Sequence, residues 1–206
     1  MPISSLSKIS VPGADGNSTS LLMPKLQYRF RVTLEGFGVS NGEVFELTKQ
    51  VMDVTRPQVS FEPVTIDVYN SKAYLAGKPT WSPITLNLRE DVDGRVQKLV
   101  GEQIQKQFDF MEQASANSGI DYKFTTRIEI TDGGNGANGV NTLETFVLVG
   151  CFLNDVNYNT LAYNSNEPVS VTLAITYDNA VQTPFGDGIG TDVGRTLGSI
   201  ITGGGS

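Results

Sequence analysis

The 206-residue chain is 39% hydrophobic and only 18% charged, with a net charge of −7. The charged share lies below the roughly 25% of an average soluble domain, and the acidic balance excludes a nucleic-acid grip built on phosphate neutralisation. Histidine is absent, which removes every Ser-His or Cys-His catalytic pair and the commonest metal ligand.

The single cysteine, Cys151, has no partner for a disulfide and cannot build a zinc site. It lies in the apolar run Phe146 to Leu153 and reads as a small core hydrophobe. No apolar run reaches the roughly 20 residues that span a bilayer, and no charged-then-apolar leader opens the sequence. The expected place of synthesis is therefore the cytoplasm. The length suits one good core.

Residues 1–23 are rich in Ser, Gly, Asn and Pro without periodicity, and read as an arm ordered only by a partner. The domain proper is expected over 24–182. It opens on a half-buried strand, with Leu26, Tyr28, Phe30, Val32 and Leu34 alternating against polar neighbours. Arg29 and Arg31 on the wet side suit either a partner or pairing with Glu35, Glu43 or Glu46. A weaker strand covers 44–54. Then the phase slips: Val59 and Phe61 keep one parity, Val64, Ile66 and Val68 the other, with Pro63 between. A slip at proline predicts a bulge or bend where the chain leaves its sheet. Residues 69–79 read as a loop, and 81–88 return as a strand.

A helical stripe follows through Val92, Val96, Leu99, Val100, Gln103, Ile104, Phe108 and Met111. The spacing predicts a helix of roughly 30–36 Å, capped by Asp91 or Asp93 and ending before Gly119. Alternation resumes in Tyr122, Phe124, Thr126, Ile128 and Ile130. Residues 146–153 are apolar on both parities and read as a central strand, and Val169 to Tyr177 alternate again. From 183 to 206 the chain is a Gly-rich tail. The expected fold is mainly β (α+β): an antiparallel β-sandwich or flattened barrel with one flanking α-helix.

No motif carries chemistry. The carboxylates of Glu90-Asp91-Val92-Asp93 lack calcium-loop spacing and fit helix capping instead. The Gly/Asn stretch 132–139 leads into no helix and contains no lysine, so it reads as a β–β connection rather than a phosphate loop. Gly186 to Gly190 is one isolated turn, too little for a repeat-type calcium site. No catalytic residue, metal or cofactor is expected.

Two stretches carry a resemblance. Tyr74-Leu75-Ala76-Gly77-Lys78-Pro79-Thr80-Trp81 runs through a strand into Glu90-Asp91. Val149-Gly150-Cys151-Phe152-Leu153 is followed by Ala162-Tyr163-Asn164-Ser165-Asn166-Glu167 and a closing strand. In order and spacing the chain resembles the tail-tube family of contractile phages, related to the inner tubes of pyocin-like particles and of type VI secretion. The match covers about 26–179, with Ala76, Gly77, Thr80, Trp81, Ser165, Asn166 and Glu167 as motif residues.

The resemblance implies hexameric rings whose sheets join into a barrel around a channel, stacked into a tube. It implies sheath and baseplate or terminator proteins as partners, and DNA passing the lumen without specific binding or any small-molecule substrate. It places the protein in the virion tail after assembly in the host cytoplasm. The ring-stacking loop would fall on the Pro63 segment, with Val64, Ile66, Tyr69, Tyr74 and Leu75 in contact. Three readings compete: a tube subunit of a phage or phage-derived injection system, an initiator or terminal ring, and a monomeric ligand-carrying barrel. An enzyme is the weakest, since no nucleophile–base pair exists.

Overall fold

A computed structural model describes residues 10–12, 18–20, 25–38, 44–46, 49–116, 118–132 and 140–183. The strands are β1 (Ser10–Pro12), β2 (Ser18–Ser20), β3 (Phe30–Glu35), β4 (Val44–Glu46), β5 (Val51–Val54), β6 (Gln58–Val68), β7 (Ser71–Ser82) and β8 (Ile84–Arg89). Helix α1 (Arg95–Gln107) leads into β9 (Phe108–Asp109) and β10 (Ala114–Ser115). Helix α2 (Gly119–Tyr122), β11 (Phe124–Thr131), β12 (Thr142–Asn157), β13 (Ser170–Thr176) and β14 (Asn179–Thr183) complete the order.

One antiparallel sheet runs β4-β3-β11-β12-β13-β8-β5, with β14 added to β12. Alternation drives it as expected: Phe124, Ile128, Val171, Leu173, Ile175, Ile84, Leu86 and Leu88 turn inward. They form one cluster with Val32 and Leu34 of β3 and Val96, Leu99 and Val100 of α1. The sheet thus curls around a single core but does not close into a barrel. Among the described residues its path ends at β4 and β5, which do not pair with each other.

Strand β12 is the spine, and it corrects the reading of 146–153 as apolar on both faces. Glu144, Phe146 and Leu148 point inward, then Cys151 and Leu153 do. The parity flips at Gly150, which adopts φ +72 in a bulge opposite β11, where Phe124 pairs Cys151 but Thr126 pairs Leu148. Before the bulge β12 pairs β14; after it, β13. One strand with its phase broken looks doubly apolar in sequence.

The helix is shorter than its stripe, 13 residues or about 20 Å. Its start is not capped by Asp91 or Asp93. The chain enters through a turn closed by the Gly94 N–H on the Asp91 carbonyl at 2.9 Å, and Gly94 itself, at φ +64, takes the cap position. Val92 is consequently exposed. At the far end Phe108 is already extended. The Asp109 carboxylate accepts from the Met111 and Glu112 N–H groups at 2.9 and 3.3 Å, drawing the backbone into a turn that competes with helix. Those bonds hold the Asp109 carboxyl below the usual carboxylate range. Gly119 does not lie in open chain past the helix but starts α2, capped by Ser118 Oγ, which accepts from the Ile120 N–H at 3.3 Å.

Other differences are local. Strand β3 begins at Phe30, because a turn closed by the Arg29 N–H on the Leu26 carbonyl precedes it. The strand expected over 44–54 is two, β4 and β5. Arg31 lies 3.8 Å from Glu129, and Arg29 donates to the Asp132 carbonyl, whereas Glu35 pairs with Arg127 at 3.0 Å. Within the N-terminal arm β1 and β2 pair with each other. The Gly/Asn loop is clasped at its rims by the Asn141 N–H and side-chain amide on Asp132. Residues 133–139, the tail from 184 onward with its Gly186–Gly190 turn, and Glu43 lie outside the described residues.

Two glutamines fix α1 in place. Buried Gln103 accepts from the Gly38 N–H at 2.9 Å and donates to the Tyr122 carbonyl at 2.7 Å. Gln107 donates to the Leu153 carbonyl at 3.0 Å and accepts from the Leu153 N–H at 2.9 Å, standing beside β12 as a neighbouring strand would. Gln103→Ala leaves a buried N–H and a carbonyl unpaired and opens a cavity, so it should lower stability by about 2–3 kcal/mol in urea unfolding. A loss below about 0.5 kcal/mol would show that water replaces the amide.

Candidate functional site

Strands β6 and β7 form a separate two-stranded ribbon, registered from Gln58↔Ser82 to Val68↔Ser71. Eleven residues at about 3.3 Å each make an arm of about 36 Å. The ribbon packs extensively only on itself. This corrects the loop expected over 69–79: Ser71 to Ser82 are strand, and only Tyr69 and Asn70 turn, with Tyr69 at φ +49.

The predicted slip at Pro63 is a real bulge. Phe61 pairs Pro79 and Pro63 pairs Ala76, so Gly77 and Lys78 on β7 face one residue on β6. Gly77 is required there, because a Cβ would lie 2.3 Å from the Glu62 carbonyl oxygen.

Cross-strand partners share a face. Val64 with Leu75, Ile66 with Ala73 and Val68 with Ser71 form an apolar stripe on one side. Thr65 with Tyr74 and Asp67 with Lys72 occupy the other. At the root, Trp81 packs on Tyr177 with ring centroids 5.6 Å apart, and Ser60 Oγ donates to the Thr80 carbonyl at 3.3 Å. Val64 is 51% exposed, Leu75 54%, Tyr74 66% and Tyr69 99%. An isolated two-stranded ribbon is marginal in water, and here its apolar stripe lies in solvent.

The predicted contact residues therefore share this arm: Val64, Ile66 and Leu75 on its stripe, Tyr74 on the reverse, Tyr69 at the tip. Ala76, Gly77, Thr80 and Trp81 build its bulge and root. Ser165, Asn166 and Glu167 lie elsewhere, in the exposed loop 158–169 between β12 and β13. Ser165 Oγ there accepts from the Glu167 N–H at 3.2 Å. Sequence reasoning did not assign Phe61 and Val68 on the arm, or Leu161 and Tyr163 on the loop, all exposed. The parity of Val68 with Val64 and Ile66 was the available signal.

Among the described residues no group of three or more His, Cys, Asp or Glu is arranged to hold a metal. An open cleft of about 540 Å³ lies beyond the end of α1, where Ser118 and Asn154 mix with Phe108, Tyr122 and Phe152. Cys151 is buried, and desolvation pushes its thiol above the ordinary range. Since the raised value favours the neutral folded form, this contribution to stability is complete below the unfolded thiol's pKa and is lost as pH rises through the folded one. Folded protein should therefore leave Ellman's reagent unreacted at neutral pH and release one equivalent only in denaturant. Prompt reaction of the native chain would place the thiol at the surface.

No family model and no curated protein matches the sequence. Solved structures do. A chain of the anti-feeding prophage baseplate superposes with a TM-score of 0.61 at 11% identity, covering 79% of this chain and 97% of that one. The anti-feeding prophage tube-terminating cap gives 0.58 at 13% identity, covering 84% and 99%. The chain has the fold of the contractile tail-tube family. A chain of the sheath–tube complex of an extracellular contractile injection system, PVC, gives 0.55 at 16% identity, covering 79% and 93%. The tube-type fold thus recurs in a baseplate, a terminating cap and a sheath–tube complex, all of them structural assemblies rather than enzymes.

Proposed function

We propose that this chain is a non-enzymatic subunit of the inner tube of a contractile tail, in a phage or a phage-derived injection system. Copies close into hexameric rings through unfinished sheet margins and stack through the β6–β7 arm. Among the described residues β4, β5 and β14 each pair on one side only, and such edges recruit strands from neighbours. The observation that carries the proposal is the arm itself: a ribbon that packs mainly on its own strands, touches the core through Trp81 at its root, and exposes Val64, Ile66, Val68 and Leu75. A net charge of −7 per copy suits a wall past which DNA slides without adhering. Sheath and baseplate or terminator proteins are the further partners.

Negative-stain microscopy of the purified protein at high concentration tests this, and uniform hollow tubes are the expected result. A strictly monomeric particle would end the proposal. The fold of the terminating cap, which covers 84% of this chain, supports a second reading as an initiator or terminal ring. That reading predicts closed rings that do not elongate alone.

A further inference from the structure

The register of β8 and β13 roots two exposed features at opposite ends of this strand pair. Ile84 pairs Ile175 at one end and Arg89 pairs Ser170 at the other, about 17 Å away. The arm leaves at the Ile84 end, since Ser82 ends β7 and the Thr55 N–H donates to the Thr85 carbonyl just before β6. The loop 158–169 and the turn 90–93 lie at the Arg89 end, joined by the Glu90 N–H on the Val169 carbonyl at 2.8 Å.

The loop is a built surface. Asn159 donates its side-chain amide to the Ser170 carbonyl and Oγ at 3.0 and 2.9 Å, and the Ser165 N–H closes a turn on the Ala162 carbonyl at 3.2 Å. It holds Leu161 and Tyr163 out in solvent, with Val92 exposed on the adjoining turn.

Charge distinguishes the ends. The arm, residues 58–82, carries two basic side chains and two acidic ones, net zero. Residues 89–93 and 158–169 together carry one basic and four acidic, net −3. Two loop ends brought together repel, whereas a neutral arm meets the acidic loop end without that cost. An assembly of indefinite length through one kind of contact also requires unlike surfaces, because a self-complementary patch stops at a pair.

We infer that the loop end, with Leu161, Tyr163 and Val92, receives the arm of a second copy of this chain, so that copies stack head to tail. This rests on the stacking proposed above and assigns its receiving surface.

Two full-length variants test it: V64D/I66D, with a disabled arm, and L161D/Y163D, with a disabled loop. All four side chains are exposed, so unchanged circular-dichroism melts should confirm folding. Each variant alone should need roughly tenfold or more protein than wild type to stack, by sedimentation and microscopy. Mixed in equal amounts, they should form stacks of two that grow no further, since only one productive contact exists. If wild type stacks and L161D/Y163D elongates equally well, pairs with itself, or fails to pair with V64D/I66D, the assignment of the loop is overturned while stacking stands. Wild type that never associates overturns both.

Discussion

Gly150→Ala should lower the unfolding free energy by about 3 kcal/mol and the melting temperature by about 10 °C. Two effects add. Gly150 sits at φ +72, where any other L-residue is strained by about 1–2 kcal/mol. A Cβ there would also lie 2.1 Å from Asp178 Oδ2 and 2.7 Å from its Cγ, forcing that side chain off the Lys123 ammonium it meets at 2.6 Å. The ion pair is largely exposed, so its loss matters little; the displaced turn matters more. Asp178 follows β13, and its N–H holds the Val149 carbonyl at 3.1 Å beside the bulge. The double variant G150A/D178A should recover most of the steric part, since only the Asp178 Cβ at 3.1 Å stays close, and keep the backbone part. A single variant melting within about 2 °C of wild type would mean that β12 can carry its parity change without a left-handed residue.

Gly77→Val should have the opposite profile: the proposed tube formation lost, melting temperature nearly unmoved. The contact at 2.3 Å is with a backbone oxygen, Glu62 O, which no side-chain rotation can clear. The bulge must open, and the stripe of Val64, Ile66 and Val68 shifts against Leu75. Because β6 and β7 pack mainly on each other, the core does not register the damage. Tubes of normal length from this variant, counted by microscopy beside wild type, would remove the arm from the assembly. A melt lowered by more than about 5 °C would show that the arm also stabilises the domain.

How much of this was legible in the sequence depends on which residues have a dry side. Strands β8, β11 and β13 place one face on the core, so Ile84, Leu86 and Leu88, or Val171, Leu173 and Ile175, write their alternation into the chain. Strand β7 has no dry face over most of its length, so Lys72, Ala73, Tyr74 and Leu75 obey no pattern and read as loop. Only the parity slip at Pro63 and the resemblance pointed to the arm. The helical stripe overran because periodicity records side-chain chemistry, whereas the stops at Gly94 and Asp109 are backbone events. The Ser165-Asn166-Glu167 motif was visible, but its place opposite the arm is a matter of strand register and could be found only in three dimensions.

The Gln107 amide beside Leu153 has a wider consequence. Past Cys151, β12 has lost β11 as its neighbour, and a bare stretch of backbone there would be an invitation to any passing chain. A side-chain amide offers one donor and one acceptor in the same sense as a peptide, and Gln107 spends both on Leu153. The position is occupied by a counterfeit peptide bond, supplied from within. For a chain that assembles as proposed above, that is one fewer way to adhere in the wrong direction.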